Sequence, residues 1–359
     1  MKAITVEPKV ADSLRLQDLA EPDAGPNEVL VEILAVGICG TDHEIVEGDF
    51  GYPPAGRDRL VIGHEAIARV IEAPEGSQFA TGDLVAPIVR RPDPVPCPNC
   101  AIGEWDMCQN GRFVEAGIRG LDGYAVERLA LLDAFAVPVG DDTGLLGVLI
   151  EPASVVAKAW EHILHIGDRA HWEPKTALIT GAGPIGLLAA LFATAHCEEV
   201  HVLDRAADGP KPELVGDLGA TYHHEGLARI DQRFDVVLEC TGAIELMMET
   251  PAMTRPNGIV CLAGVGDEGT SAVASFAREM VLGNRTMFGT VNANRRHHEE
   301  AARVIGVADR SWLERVIDRR LPLDRWEEAY HREPGSVKTV IEFLPPQGGV
   351  PPEAGRGDS

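Results

Sequence analysis

The sequence predicts an α/β protein, with a β-rich half followed by a doubly wound parallel sheet. Three observations carry this expectation. The first 150 residues alternate apolar and polar positions between turns, strands and helices alternate from Pro152 onward, and a glycine-rich turn joins one strand to the helix after it.

In chain order, Val29, Val31, Ile33 and Ala35 alternate with Glu32 on the other face, the period of two that a half-buried strand requires. Residues 60–62, 66–71 and 84–86 follow, punctuated by Gly63, Pro74-Glu75-Gly76 and Gly82-Asp83. No long helical period occurs before Pro152. Residues 152–166 then place Val155, Val156, Ala159, Trp160 and Ile163 at helical spacing, and Pro152 stands where a missing N–H costs nothing. Residues 176–180 read as a buried strand, 184–195 as a helix and 200–203 as a strand. Residues 234–238, 259–263 and 286–291 are further strands with helical stretches between them. Residues 297–307 read as a helix and 336–343 as a closing strand. Residues 345–359, with four Pro and four Gly, read as a disordered tail.

A chain of 359 residues corresponds to about two domains at ~100–200 residues each. Basic residues number 32 against 56 acidic, a net charge of −24, which argues against nucleic acid and anionic membrane as partners because both repel such a surface. Six of the basic residues are Lys and the rest Arg. Adaptation to salt and a GC-rich genome account for that equally well. The longest apolar run, 185–195, is too short to cross a bilayer, and Lys2, Glu7 and Lys9 occupy the place of a signal peptide's apolar stretch. The expectation is a soluble cytoplasmic protein. Seven cysteines, three of them within twelve residues, fit metal binding better than a disulfide framework.

Gly181-Ala-Gly183-Pro184-Ile185-Gly186 lies between the strand at 176–180 and the helix opened by Pro184. Gly181 permits a tight turn, Gly183 lets the backbone approach a pyrophosphate, and Gly186 lets helix and sheet pack closely. The helix N-terminus offers free N–H groups to the phosphates. Asp204 ends the next strand, where a carboxylate accepts hydrogen bonds from ribose hydroxyls. It repels a 2′-phosphate, which favours NAD, while Arg205 beside it offsets that repulsion and leaves NADP open.

Cys39-Gly-Thr41-Asp42, Gly63-His64-Glu65 and Glu151 supply thiolate, imidazole and carboxylate, a set that suits a zinc ion with an open position. Cys97-x2-Cys100-x7-Cys108 is a second thiol cluster. Cys197, Cys240 and Cys261 lie in apolar stretches and read as packing residues.

Cys39–Asp42, Gly63-His64-Glu65, Gly82-Asp83-Leu84-Val85 and the glycine motif together resemble the zinc-dependent medium-chain dehydrogenase/reductase superfamily. Arg90-Arg91-Pro92, Phe113-Val-Glu115-Ala-Gly-Ile118, Ile150-Glu151-Pro152 and Gly289-Thr-Val-Asn292 resemble its archaeal-type glucose 1-dehydrogenases. The resemblance implies a GroES-like catalytic domain at 1–155, a Rossmann domain at 156–291 and a return to the catalytic domain at 292–344. It also implies that Cys39, His64 and Glu151 surround a catalytic zinc, with Glu65 as a ligand or an exchangeable carboxylate and Asp42 orienting His64. Thr41 would hold the substrate hydroxyl or take its proton. Glu115 and Asn292, the latter beside the nicotinamide, would contact the sugar. The second cluster matches three of four positions of the superfamily's structural-zinc lobe, leaving either a zinc completed by Asp93 or a metal-free lobe. The implied activity is oxidation of an aldose at C1, most readily glucose, by NAD or NADP in a homodimer or homotetramer. The alternatives are a polyol or secondary-alcohol dehydrogenase and a non-catalytic dinucleotide-binding protein.

Overall fold

The computed structural model describes residues 1–264 and 286–343; the tail expected at 345–359 lies outside them. Two sheets organise the chain. The first has seven strands, in the order Ala136–Val139, Leu84–Pro87, Glu65–Glu72, Glu28–Ile38, Thr339–Glu342 and Arg319–Pro322, with Arg128–Leu132 also paired to Glu28–Ile38. The closing strand pairs antiparallel with Glu28–Ile38, Thr339 opposite Ile38, so the end of the described chain completes the sheet its beginning starts. Val29, Val31 and Ile33 are buried and Glu32 is not, as the period of two requires.

The second sheet is parallel throughout, in the order Thr221–His223, Glu199–Leu203, Thr176–Thr180, Phe234–Glu239, Thr254–Leu262 and Thr286–Gly289. Strand order reverses beside Thr176–Thr180, the switch point at which such sheets bind ligands. A small sheet of Arg90–Arg91, Val114–Ala116 and Gly120–Leu121 borders a lobe that carries the short helix Pro98–Ala101 and the turn Trp105–Met107.

The helix Ile150–Gly167 begins two residues before Pro152, because proline is tolerated throughout a first turn whose N–H groups have no helical partner. Together with the 3-10 segment before it, the run Asp141–Gly167 is long and apolar enough by length and composition to cross a membrane, but 78% of its apolar window is buried inside the fold. Its apolar face joins residues of both large sheets in one core, among them Ile67, Trp160, Ile179 and Val236. The helix Arg295–Val307 packs against it. The eight-residue helix Gly40–Glu47 escapes the sequence pattern because only Asp42 and Ile45 on it are buried.

Candidate active site

Cys39 follows the central strand Glu28–Ile38 and caps the helix Gly40–Glu47, where its N–H donates to Asp42 Oδ2 at 2.9 Å. His64 directly precedes, and Glu65 opens, the neighbouring strand Glu65–Glu72. The close approach depends on glycine: a Cβ at Gly37 would stand 2.2 Å from Glu65 Oε2, and Gly63 has φ +86°. Cys39 Sγ lies 3.1 Å from His64 Nε2, and His64 Nδ1 lies 3.4 Å from Asp42 Oδ1. Asp42 therefore fixes the ring from its far side, as carboxylates behind metal-bound histidines do.

Electrostatics follow from burial. Desolvation raises the Cys39 thiol. Burial opposes charge on His64, but the facing Cys39 and Asp42 outweigh it and hold the imidazole well above its usual range. Burial pushes Glu151 up to about 7, with His64 and Lys338 opposing and Glu65 and Asp42 assisting. Glu151 thus faces these groups, although its carboxylate stands outside the set formed by Cys39, His64 and Glu65, whose ligand atoms lie within 4.8 Å of one another. Glu65 also forms a buried ion pair with Lys338, whose Nζ donates to Ile38 O at 3.0 Å. A thiolate, an imidazole with an oriented second nitrogen and buried carboxylates fit a zinc ion with an open position.

Thr41 is half-buried in the first turn after Cys39. Glu115 and Asn292, 177 residues apart in sequence, meet in the fold with Asn292 Nδ2 donating to Glu115 Oε1 at 2.8 Å. Asn292 adopts φ +57°, a left-handed conformation that asparagine tolerates better than most residues.

The glycine turn has the form the motif requires. Gly181 has φ +92°, a Cβ at Gly186 would stand 1.8 Å from Gly181 O, and nothing lies within 4 Å of where a Cβ at Gly183 would be. Pro184 and Ile185 open the helix Pro184–Ala193. This open cradle at a helix N-terminus fits a pyrophosphate. Asp204 Oδ2 accepts from Ala182 N at 2.7 Å and Oδ1 from Ala206 N at 3.0 Å, while Lys211 Nζ lies 3.1 and 3.2 Å from the two oxygens. The carboxylate is therefore charge-compensated by a lysine that the strand-end pattern does not reveal. Arg205 is exposed and makes no ion pair among the described residues.

In the lobe, the sulfurs of Cys97, Cys100 and Cys108 lie within 4.8 Å of one another. Cys97 Sγ accepts from the N–H groups of Cys100 and Gln109, which helps pull this thiol down to about 6. Asp93, offered as a fourth ligand in one of the two readings of this lobe, stands outside the set. Its Oδ1 accepts from Val95 N at 2.8 Å, and its Oδ2 from Asn110 Nδ2 at 2.8 Å and Arg112 Nε at 3.1 Å, so it caps its own loop. The three thiolates still fit a metal ion as a partial donor set. Cys261 is buried, and Cys197 and Cys240 are half-buried among apolar side chains that raise their thiols.

Sequence reasoning missed Lys338, Lys158, Asp106 and Arg90, all buried. One signal was present. Glu151, Ser154 and Lys158 recur at helical spacing and are all buried, a polar stripe on an otherwise apolar helix.

A metal-ligand cluster beside a β-rich catalytic sheet, with a dinucleotide turn at the switch point of a parallel sheet, defines a medium-chain dehydrogenase. Residues 25–141 match the alcohol dehydrogenase GroES-like domain and residues 144–343 the glucose dehydrogenase C-terminus. Similar over nearly their whole lengths are glucose 1-dehydrogenase 2 of Vulcanisaeta moutnovskia, 38% identical over 96% of this chain and 99% of that one, and glucose 1-dehydrogenase 1 of Caldivirga maquilingensis, 39% identical with the same coverage. A solved structure of Haloferax mediterranei glucose dehydrogenase in complex with NADP, Zn and gluconolactone superposes with TM-score 0.89 at 31% identity, over 96% of this chain and 100% of that one. The chain belongs to the glucose dehydrogenase family.

Proposed function

We propose that this protein is a zinc-dependent, NAD(P)-dependent glucose 1-dehydrogenase that oxidises the C1 hydroxyl of an aldose to the lactone. The observation that carries this reading is the end-to-end similarity to the Haloferax mediterranei enzyme, whose structure holds NADP, Zn and gluconolactone. Cys39, His64 and Glu151 would hold the zinc, with Glu65, ion-paired to Lys338, as a ligand or exchangeable carboxylate. When bound, zinc supplies the Lewis acidity that lowers a hydroxyl's pKa, and the nicotinamide accepts the hydride. Thr41 would hold the C1 hydroxyl and relay its proton, passing its own hydroxyl proton on to bound water as it accepts the substrate's. Glu115 and Asn292 bind the remaining sugar hydroxyls, so a polyhydroxylated ligand finds partners for its own buried oxygens.

Gly181, Gly183, Pro184, Ile185 and Gly186 cradle the pyrophosphate. Asp204 faces the adenosine ribose, and Lys211 and Arg205 add the positive charge that a 2′-phosphate requires, so the site accepts both cofactors. The division into 1–155, 156–291 and 292–344, the cytoplasmic location and assembly as a homodimer or homotetramer belong to the same reading. The test is cofactor reduction over a panel of glucose, galactose, xylose, sorbitol, threonine and short alcohols, each with NAD and NADP. Glucose is expected to give the highest kcat/KM. Faster turnover of sorbitol or a secondary alcohol than of any aldose would overturn the assignment.

A further inference from the structure

A buried circuit of polar groups joins the lobe, the long helix and the segment that leaves the parallel sheet. Arg90 stands opposite Glu115 in the register of the small sheet. Its Nε and Nη2 both donate to Glu115 Oε1, at 3.1 and 2.9 Å, and Asn292 Nδ2 donates to the same oxygen. Glu115 Oε2 accepts no hydrogen bond among the described residues. The remaining arm of Arg90, Nη1, donates to the carbonyl of Asp106 at 2.9 Å. The Asp106 carboxylate pairs with Lys158 Nζ at 2.8 Å and accepts from Asn294 Nδ2 at 2.9 Å. Lys158 Nζ then donates to Val291 O at 3.1 Å, one residue before Asn292. The circuit closes from Lys158 through Asp106, Arg90, Glu115 and Asn292 to Val291.

Arg90, Asp106 and Lys158 are 5%, 4% and 2% exposed. Buried ion pairs add little net stability compared with apolar packing, so their consequence lies in what they orient. Three donors converging on one carboxylate oxygen fix the rotation of Glu115, leaving its other oxygen to accept from a ligand. Asp106, Lys158 and Val291 of the circuit also line a cavity of about 310 Å³ whose other walls include Leu262 and Gly289 of the parallel sheet.

We propose that Arg90, Asp106 and Lys158 are positioning residues of the sugar pocket, setting the free oxygen of Glu115 and the side chain of Asn292 before substrate arrives. This rests on the reading of Glu115 and Asn292 as sugar contacts.

A double-mutant cycle tests it. Arg90→Lys keeps the charge but cannot reproduce a guanidinium's fork. It is expected to raise the glucose KM at least tenfold while the cofactor KM stays within twofold of wild type. In a Glu115→Gln background the same change should alter the glucose KM by less than twofold, because a residue acting through Glu115 loses its effect once Glu115 is altered. Lys158→Met is expected to raise the glucose KM in the same way. Should it leave Asp106 unpaired and the protein unfolded, Lys158→Met combined with Asp106→Asn removes both charges and should still show the raised KM. Additive effects in the cycle, or an Arg90→Lys variant that loses thermal stability and kcat with both KM values unchanged, would overturn the proposal. A wild type that oxidises sorbitol but no aldose overturns the glucose reading, and the cycle is then read on sorbitol. A wild type inactive on both overturns the two together.

Discussion

Asp204 and Lys211 illustrate how far single residues were legible. The strand-end position of Asp204 could be read from its distance to the glycine turn, and the structure places it there, bonded to Ala182 N. Its charge balance could not, because Lys211 reaches it from the first turn of the next helix, Pro210–Asp217, and side-chain direction is not written in spacing. The pairing changes the cofactor argument, since a compensated carboxylate no longer repels a 2′-phosphate strongly. Lys211→Met is expected to lower kcat/KM for NADP relative to NAD about tenfold or more, given the ~1.5–3 kcal/mol of a charge-assisted hydrogen bond. Asp204→Gly should move the ratio the other way. Both are read from initial rates with the two cofactors at saturating sugar, and a ratio unmoved in both variants would remove this pair from the ribose site. Cys39, His64, Glu65 and Glu151 were legible as a group from their donor chemistry and motifs, and of these Cys39, His64 and Glu65 bring their ligand atoms within 4.8 Å of one another. Lys338, the ion-pair partner of Glu65, was not legible, since it directly precedes a strand some 270 residues further on.

At the scale of elements, the strands read at 176–180, 200–203 and 234–238 lie within a residue of the observed ends because most of their positions are buried. In contrast, Thr254–Leu262 starts five residues before the 259 read for it, and the edge strand Thr221–His223, none of it buried, was not read. The lobe's fourth position was left open by the sequence, and in the structure Asp93 accepts from the N–H two residues on, a local turn that aspartate commonly makes. Asp93→Ala is accordingly expected to leave metal content unchanged, whereas Cys100→Ser should lose whatever metal the lobe holds. Elemental analysis of metal-replete wild type and both variants decides this, and metal lost from Asp93→Ala would restore the four-ligand reading. The helix Arg295–Val307 carries a pH-dependent cap. His297 Nδ1 accepts from Asn294 N at 3.1 Å, which requires that nitrogen to be unprotonated, and His298 Nδ1 lies 3.0 Å from Asn294 O. Burial pulls both rings down to about 4, with Arg296 acting further on His297, and His297, Arg91 and Arg295 on His298. Because the folded value lies below the unfolded value of about 6.5, the unfolded chain takes up these protons first. Stability is complete above about pH 6.5 and falls as pH drops toward 4, by roughly 1.4 kcal/mol per pH unit for each ring. Urea midpoints at pH 7 and pH 5 should therefore differ, and His298→Asn should shrink the difference; an equal shift in the variant would exclude His298 as a source.

For the whole molecule, a charge of −24 makes the folded state repel itself. Raising sodium chloride from 0.05 to 0.5 M shortens the screening length from roughly 14 to roughly 4 Å and is expected to raise Tm. A Tm unmoved by salt would mean that the surface carboxylates are already offset by pairs such as Arg303 with Glu300 and Arg325 with Glu328. The closing strand has a consequence in time. Glu28–Ile38 leaves the ribosome early, but its partner Thr339–Glu342 is made about 300 residues later. At ~5–20 residues per second the growing chain carries the Ala35–Ile38 end of that strand with one edge unpaired for roughly 15–60 seconds, while the parallel sheet is already complete in sequence. Lys338 arrives in that last stretch as well, so the carboxylate of Glu65 waits equally long for its counter-charge. During synthesis, the half of the protein that begins first is the half that finishes last.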